Sequence, residues 1–549
     1  MADRVMVLGL DGGTFDVFRP LIEAGKMPNL AALARRAAAG PLESTEPYIT
    51  PTAWSTFLTG CDPWRHGVFD YRYFDNEQKQ IRLHHAGRLQ QPTLYDAVSQ
   101  SGGDVVSLNL PMTYPPRAVD HGPAGDPERY AKRLIIGGLD SPSAEATLAP
   151  YPEFHRRLKS AGIGLDLDPV WRRRPRSLAE LSTGVTRSAG SFAARADAAI
   201  LADEMTDWRL MVVQFQVLDS FQHFCWSFLG LDSQADVPDE WVAVARKALT
   251  ALDRSLGRLL ELADRRGAAV VGVSDHGFGP FRQQVSLPEV FRRRGLLEPA
   301  PLVEHLRFSA ACLGRNFRKW LHRRAGKGST AGVAWSLHSV LPCDWKRSRV
   351  VALHGNLAGL IYLNTPERFG AGPVRGAAAR QQTLAETTAA LMETRHPETQ
   401  EPLFEKVLLT EEYCPGEAVG RMLPDLVAIP APGFHTRTRL DGPGKLLRRE
   451  PELSGTHRRE GVLLVDAPGV IPGDCSAKLR DVAPTILSML GLAPTAECDG
   501  RVLSELFHTP AHAVRSPDQG HGRPAAGSTY HDEETAQIES RLRALGYMD

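Results

Sequence analysis

Five places along the chain carry side chains of the kinds that hold metal ions or handle phosphate. Asp11 directly follows the apolar run VMVLGL and precedes Gly12 and Gly13, which let the backbone approach a ligand closely. Asp219 and His223 follow LMVVQFQV, and their spacing of four puts both side chains on one face of a helical turn, where they suit one metal. Asp275 and His276 close the apolar run VVGVS, and adjacent residues in an irregular turn can both point at one site. His457 stands in SGTHRREGVLLV, just before a further apolar run. The segment PYITPTAWSTFLTG concentrates hydroxyls ahead of a helical turn, and a helix N-terminus favours anions, so a hydroxyl nucleophile would sit well there. Four of the five places have a plainer reading beside this one. Asp11 and Thr50 or Thr52 would serve as helix caps, Asp219 and His223 as an exposed pair, and His457 as a structural histidine.

Such side chains need rigid supports, and in open α/β sheets sites form at the carboxyl ends of strands. Short runs rich in β-branched residues recur at Val5–Leu10, Asp104–Leu110, Leu210–Phe215, Ala268–Val273, Leu426–Ile429 and Val462–Val465. They read as buried parallel strands. Helical spacing covers Asn29–Ala39, Trp241–Ala263 and Asp481–Leu490 between them. Strands alternating with helices predict an α/β protein with a mostly parallel sheet covered on both faces.

In this order the motifs VLGLDGG, FLTG…P…HGV, D-x-x-x-H, SDHGFG, GTH and DVAPTILSMLGL…DGR resemble the alkaline phosphatase superfamily, and within it the type I phosphodiesterase/nucleotide pyrophosphatase branch. The resemblance spans roughly residues 3–507. It implies a three-layer sandwich with inserted cap regions, and a site for two divalent metals, zinc by habit of the family, with manganese or iron suiting the same donors. By the resemblance, Asp219, His223 and His457 would hold one metal, and Asp11, Asp275, His276 and the nucleophile the other. The family's nucleophile lies ten residues before the glycine of the TG turn, which is Thr50 when counted from Gly60; Thr52 is the alternative. The implied reaction is hydrolysis of a phosphodiester or pyrophosphate bond in a small molecule through a phosphothreonine.

Departures from the pattern bear on substrate. The branch's nucleotide pyrophosphatases have an asparagine three residues after the nucleophile, where this chain has Ala53. Sulfatases of the superfamily use a cysteine or serine as formylglycine precursor with an arginine four residues on; here Thr50 and Trp54 stand there, and threonine cannot yield that aldehyde. His354, in DWKRSRVVALHGNLAGLIYLN, is either a substrate contact or a buried structural histidine. A phosphomonoesterase or a phosphotransferase would use the same residues, the former with an added cation for the extra charge. A scaffold without turnover is the remaining reading, opposed by the intact ligand set.

The whole chain adds bounds. Its 549 residues carry 64 Lys+Arg and 64 Asp+Glu, so no global field draws it to nucleic acid or an anionic membrane, and a charged substrate must be gripped locally. The apolar run near the N-terminus is too short for a secretory signal, and no stretch reaches the roughly 20 apolar residues of a membrane helix. Cys61, Cys225, Cys312, Cys343, Cys414, Cys475 and Cys498 are scattered singly, which fits a reducing cytoplasm. The expected partner is a small phosphate ester. The expected domains are a catalytic one over 1–510, with excursions at 111–190 and 290–350, a linker at 511–530 and a docking helix at 531–549. The basic segment at 315–328 is either part of a cap or a solvated arginine face, and Lys and Arg from it or from 171–176 could supply the cation that a phosphomonoesterase needs.

Overall fold

The computed structural model describes residues 2–89, 91–117, 132–231, 237–300, 343–370, 372–417, 421–438, 444–495, 497–509 and 530–548. The basic 315–328 segment, most of the 290–350 excursion and nearly all of the 511–530 linker lie outside these residues. Two compact units emerge. The first takes Met1–Val68, His85–Phe281 and Pro451–Ser528, the second Phe69–His84, Arg282–Glu450 and Thr529–Asp549.

The first unit is built on a sheet of nine strands among the described residues. Its centre is parallel, running Ala269–Val273, Val5–Gly9, Trp208–Gln214, Asp104–Leu110 and Arg133–Gly137 side by side. Successive side chains of a strand point to opposite faces. Accordingly Met6 and Leu8 enter one core cluster with Phe192, Leu252 and Leu256, while Val5 and Val7 enter another with Trp54, Val98 and Ile486. The helices Leu178–Asp203 and Asp239–Arg266 thus cover one face, and Thr50–Thr59, Leu94–Gln100 and Val482–Met489 the other. The architecture is the three-layer α/β sandwich.

Several elements depart from the sequence reading. Val462–Val465 lies in Glu460–Asp466, which runs antiparallel to both of its neighbours, Ala269–Val273 and Ala38–Glu43. The predicted helix Asn29–Ala39 stops at Arg36, because Ala38–Glu43 pairs with Glu460–Asp466 instead; sheet pairing overrides the helix preference of an alanine run. Leu426–Ile429 is in neither the sheet nor a parallel pairing. It belongs to an antiparallel sheet of the second unit. Within the 111–190 excursion, Arg133–Gly137 joins the main sheet, and Ser177, whose hydroxyl accepts from the Glu180 N–H at 3.2 Å, starts a 26-residue helix.

The second unit holds four antiparallel strands in the order Val350–Gly355, Gly359–Leu363, Leu426–Pro430 and Phe404–Leu409. A ribbon of Phe434–Arg437, Gln283–Ser286 and Leu447–Arg448 and a hairpin of Arg72–Asp75 with Gln80–Leu83 accompany them. Its C-terminal helix, Asp532–Ala544, buries Ile538 and Leu542, and Leu545 just beyond it is buried too. Among the described residues no helix is long and apolar enough to cross a membrane.

Candidate metal centre and nucleophile

All seven predicted ligands and nucleophile positions lie in the first unit, and the strand directions explain why they converge. Val5–Gly9, Trp208–Gln214, Ala269–Val273 and Ala38–Glu43 end at one edge of the sheet, and Glu460–Asp466, being antiparallel, begins there. Asp11 leaves the first, the Val217–Cys225 helix with Asp219 and His223 follows the second, and Asp275 and His276 leave the third. Thr50 follows the fourth as the first residue of the Thr50–Thr59 helix. His457 sits on Gly455–Arg458, a short strand paired antiparallel to Gly277–Pro280.

Asp219, His223 and His457 form a tight triangle. Asp219 Oδ1 is 3.1 Å from His457 Nε2 and 3.4 Å from His223 Nε2, and the two imidazole nitrogens are 3.0 Å apart. On the other side, His276 Nε2 lies 3.2 Å from Asp275 Oδ2, 3.7 Å from Asp11 Oδ1 and 3.4 Å from Thr50 Oγ1. The His276 ring also stacks on His457 at 3.4 Å, so it belongs with both groups. Ligand atoms of Asp219, His276 and His457, and of Asp11, Asp275 and His276, come together closely enough for each trio to hold an ion. Every one of these residues is buried.

The imidazoles are oriented for coordination. Nδ1 of His223 faces the Gly455 carbonyl at 3.1 Å, that of His276 the Gly277 carbonyl at 3.0 Å and that of His457 the Tyr48 carbonyl at 3.2 Å. A carbonyl only accepts, so a proton on each Nδ1 would satisfy it and leave Nε2 of each ring turned into the cluster. Burial, with His457 adding to it, pulls His276 well below the usual imidazole range; burial, with His223 adding, does the same to His457. Burial pushes the Asp11 carboxyl far above its usual range, and the charges of Asp275 and Asp219 raise it further. Asp275 is raised by burial too, and by Asp219, against the Gly12 N–H donating to its Oδ1 at 3.1 Å. Asp11 Oδ1 and Asp275 Oδ2 are buried with no hydrogen-bond partner. Carboxylate oxygens and imidazole nitrogens that converge in this way form a donor set suited to a divalent cation.

Two close approaches hold the ligand turns together. Gly12 has φ +68°, and a Cβ there would meet the Phe278 ring at 2.8 Å. A Cβ on Gly455 would come within 2.4 Å of the Gln222 carbonyl oxygen and 2.8 Å of Trp226 Cβ, so only glycine lets the His457 strand lie against the helix of Asp219 and His223.

The other predicted positions divide. Ala53 is fully buried in the Thr50–Thr59 helix. Thr52 is buried there as well, with an Oγ that has no hydrogen-bond partner. His354 lies on Val350–Gly355 of the second unit, opposite Leu360, and its side chain lies outside the described residues. Sequence reasoning passed over Gln214, whose Nε2 donates to Asp11 Oδ2, and Trp54, whose Nε1 reaches the same oxygen at 3.4 Å. A glutamine ending the otherwise apolar strand WRLMVVQ was the available signal for the first.

The family model for type I phosphodiesterase / nucleotide pyrophosphatase matches residues 5–459. No curated protein matches the chain. Solved structures similar to it include human ectonucleotide pyrophosphatase / phosphodiesterase 5, at 11% identity and TM-score 0.48, covering 92% of this chain and 100% of that one. Phosphonoacetate hydrolase from Sinorhizobium meliloti 1021, in complex with phosphonoformate, is similar at 19% identity and TM-score 0.49, covering 88% and 94%. With the family model spanning both candidate metal-binding trios and the helix of Thr50, the chain belongs to the type I phosphodiesterase/nucleotide pyrophosphatase family of the alkaline phosphatase superfamily and is a phosphohydrolase of that type.

Proposed function

We propose that the protein hydrolyses a phosphodiester or pyrophosphate bond of a small molecule, with two divalent ions and a phosphothreonine formed on Thr50. The observation that carries this reading is the position of Thr50: a buried hydroxyl on the first turn of a helix, 3.4 Å from His276 Nε2, at the edge of a cluster of carboxylates and imidazoles. Asp219, His223 and His457 would hold one ion, and Asp11, Asp275, His276 and Thr50 the other. Such ions, zinc first among the candidates, would supply positive charge that favours the Thr50 alkoxide and neutralises the phosphoryl oxygens.

The chain's own residues do the rest. The Ile49 N-cap makes no side-chain hydrogen bond to the helix, and the positive end of the helix dipole at Thr50 favours an incoming anion. Thr50 Oγ attacks phosphorus, a P–O bond forms as the bond to the leaving oxygen breaks, and the leaving group departs with its electron pair. Water then attacks the phosphothreonine, returning Thr50 and releasing phosphate or a monoester. Burial of all seven residues keeps competing solvent away from the nucleophile.

The test is hydrolysis of p-nitrophenyl phosphate against bis-p-nitrophenyl phosphate by zinc-loaded protein, with Thr50→Ala and chelator controls. Diester turnover that vanishes in Thr50→Ala and under chelation is expected. Preference for the monoester would overturn the diester reading in favour of a phosphatase, and turnover that survives in Thr50→Ala would overturn the phosphothreonine.

A further inference from the structure

One chain of buried polar groups in the first unit leads away from the metal centre and has no counterpart among its ligands. Arg195, on the Leu178–Asp203 helix, donates through Nη2 to Asn109 Oδ1 at 3.1 Å and to the Asp166 carbonyl at 2.8 Å. Asn109 Nδ2 donates to Gln214 Oε1 at 2.9 Å. Gln214 Nε2 donates to Asp11 Oδ2. All four residues are buried, Gln214 and Asp11 completely.

The direction of this chain is fixed by its ends. A guanidinium can only donate and a carboxylate metal ligand can only accept. Asn109 must therefore turn its oxygen to Arg195 and its NH2 to Gln214, which in turn must aim its own NH2 at Asp11. Burial lowers the Arg195 guanidinium only to about 10, so it remains a cation at neutral pH. With Oδ2 of Asp11 occupied by Gln214 and Trp54, Oδ1 alone is left facing His276, without a hydrogen-bond partner of its own.

We infer that Arg195 is a positioning residue for the metal ligand Asp11, acting at a distance through the amides of Asn109 and Gln214. The inference rests on the reading of Asp11 as a ligand. It assigns to a buried arginine on the far helix the task of setting which oxygen of Asp11 meets the ion. Partners that orient a ligating group in this way typically change metal affinity by about 10–100-fold when lost.

Asn109→Asp is the discriminating variant. It preserves side-chain size, keeps and strengthens the pairing with Arg195, and tolerates the left-handed backbone at position 109, where φ is +69°. An aspartate there can only accept, so Gln214 must turn its NH2 toward it and present an oxygen to Asp11. Zinc affinity of the full chain, stripped of metal, is measured by competition with a chromophoric chelator, beside the melting temperature of the metal-free protein. The expected result is at least tenfold weaker binding of one zinc in Asn109→Asp with no drop in melting temperature, and affinity retained in Arg195→Lys, which keeps a donor to Asn109. Zinc binding by Asn109→Asp within threefold of the unmutated protein would overturn the relay and leave the metal centre standing. An unmutated protein that binds no zinc would overturn both.

Discussion

His223 Nε2 and His457 Nε2 face one another at 3.0 Å, while the opposite nitrogen of each ring is committed to a backbone carbonyl. With Asp219 Oδ1 at 3.1 Å from His457 Nε2 and 3.4 Å from His223 Nε2, these nitrogens form a set of donors that one cation would draw together. An ion bound there would stabilise the fold.

Metal removal should withdraw that stabilisation. At a thousandfold excess over its Kd, an ion that binds only the folded chain stabilises it by about 4 kcal/mol. Chelation is expected to lower the melting temperature by several degrees, and zinc to restore it. His457→Ala and Asp219→Asn should each reduce bound metal by about one equivalent and blunt the response to chelator. A melting curve indifferent to chelator would contradict the coordinating role of the whole cluster.

How much of this was legible in the sequence depends on the range of the interaction. Asp11, Asp275 and His276 could be read because each ends an apolar strand, and Asp219 with His223 because a helix places residues four apart on one face. His457 was ambiguous from its own neighbours, since its strand exists only by pairing with Gly277–Pro280. The relay from Arg195 was invisible: its links join residues 86, 105 and 203 positions apart, and no local periodicity records such bonds. The strand Ala38–Glu43 was missed for the same reason, its sequence AAGPLE carrying less information than its partner Glu460–Asp466.

Gly455→Ala should act on the site without touching a ligand. The added methyl would meet the Gln222 carbonyl oxygen at 2.4 Å and the Phe278 ring and Trp226 Cβ at 2.8 Å, none of which can move freely. The strand must shift and carry His457 away from His223. A loss of about 1–3 kcal/mol in stability is expected, with weakened zinc binding measured on the same preparation. Unchanged zinc affinity in a folded Gly455→Ala protein would show that the strand's position is not what sets the triangle.

A pH dependence is expected from the second unit. Burial pushes the Asp70 carboxyl up to about 6, against the opposing influence of the Arg72 charge and the N–H groups of Tyr71 and Arg72. The folded state thus holds this proton longer than the unfolded chain does. Asp70 leaves stability untouched below pH ~4; its cost grows as pH rises through about 6 and is then constant. Asp70→Asn removes that cost, so it should melt higher than the unmutated protein at pH 8, by an amount worth up to about 3 kcal/mol. The difference should shrink toward zero by pH 4. An advantage that is equal at pH 4 and pH 8 would show that ionisation of Asp70 is not its source.

The two threonines of the nucleophile segment make opposite predictions. Thr50 opens the helix and its hydroxyl reaches His276, whereas Thr52 stands two residues on, about 200° around the helix, so its side chain points away from that of Thr50. Removing a covalent nucleophile costs on the order of 10⁴-fold or more in kcat where water cannot substitute efficiently. Thr50→Ala should reach that loss and Thr50→Ser should recover much of it, since serine supplies the same oxygen. Thr52→Ala should stay within about tenfold of the unmutated enzyme, because it deletes a buried hydroxyl that lacks a hydrogen-bond partner. Acid-quenching turnover of bis-p-nitrophenyl phosphate and mapping the phosphopeptide separates the two directly: label on Thr50 is expected, and label on Thr52 with activity surviving in Thr50→Ala would move the nucleophile by two residues.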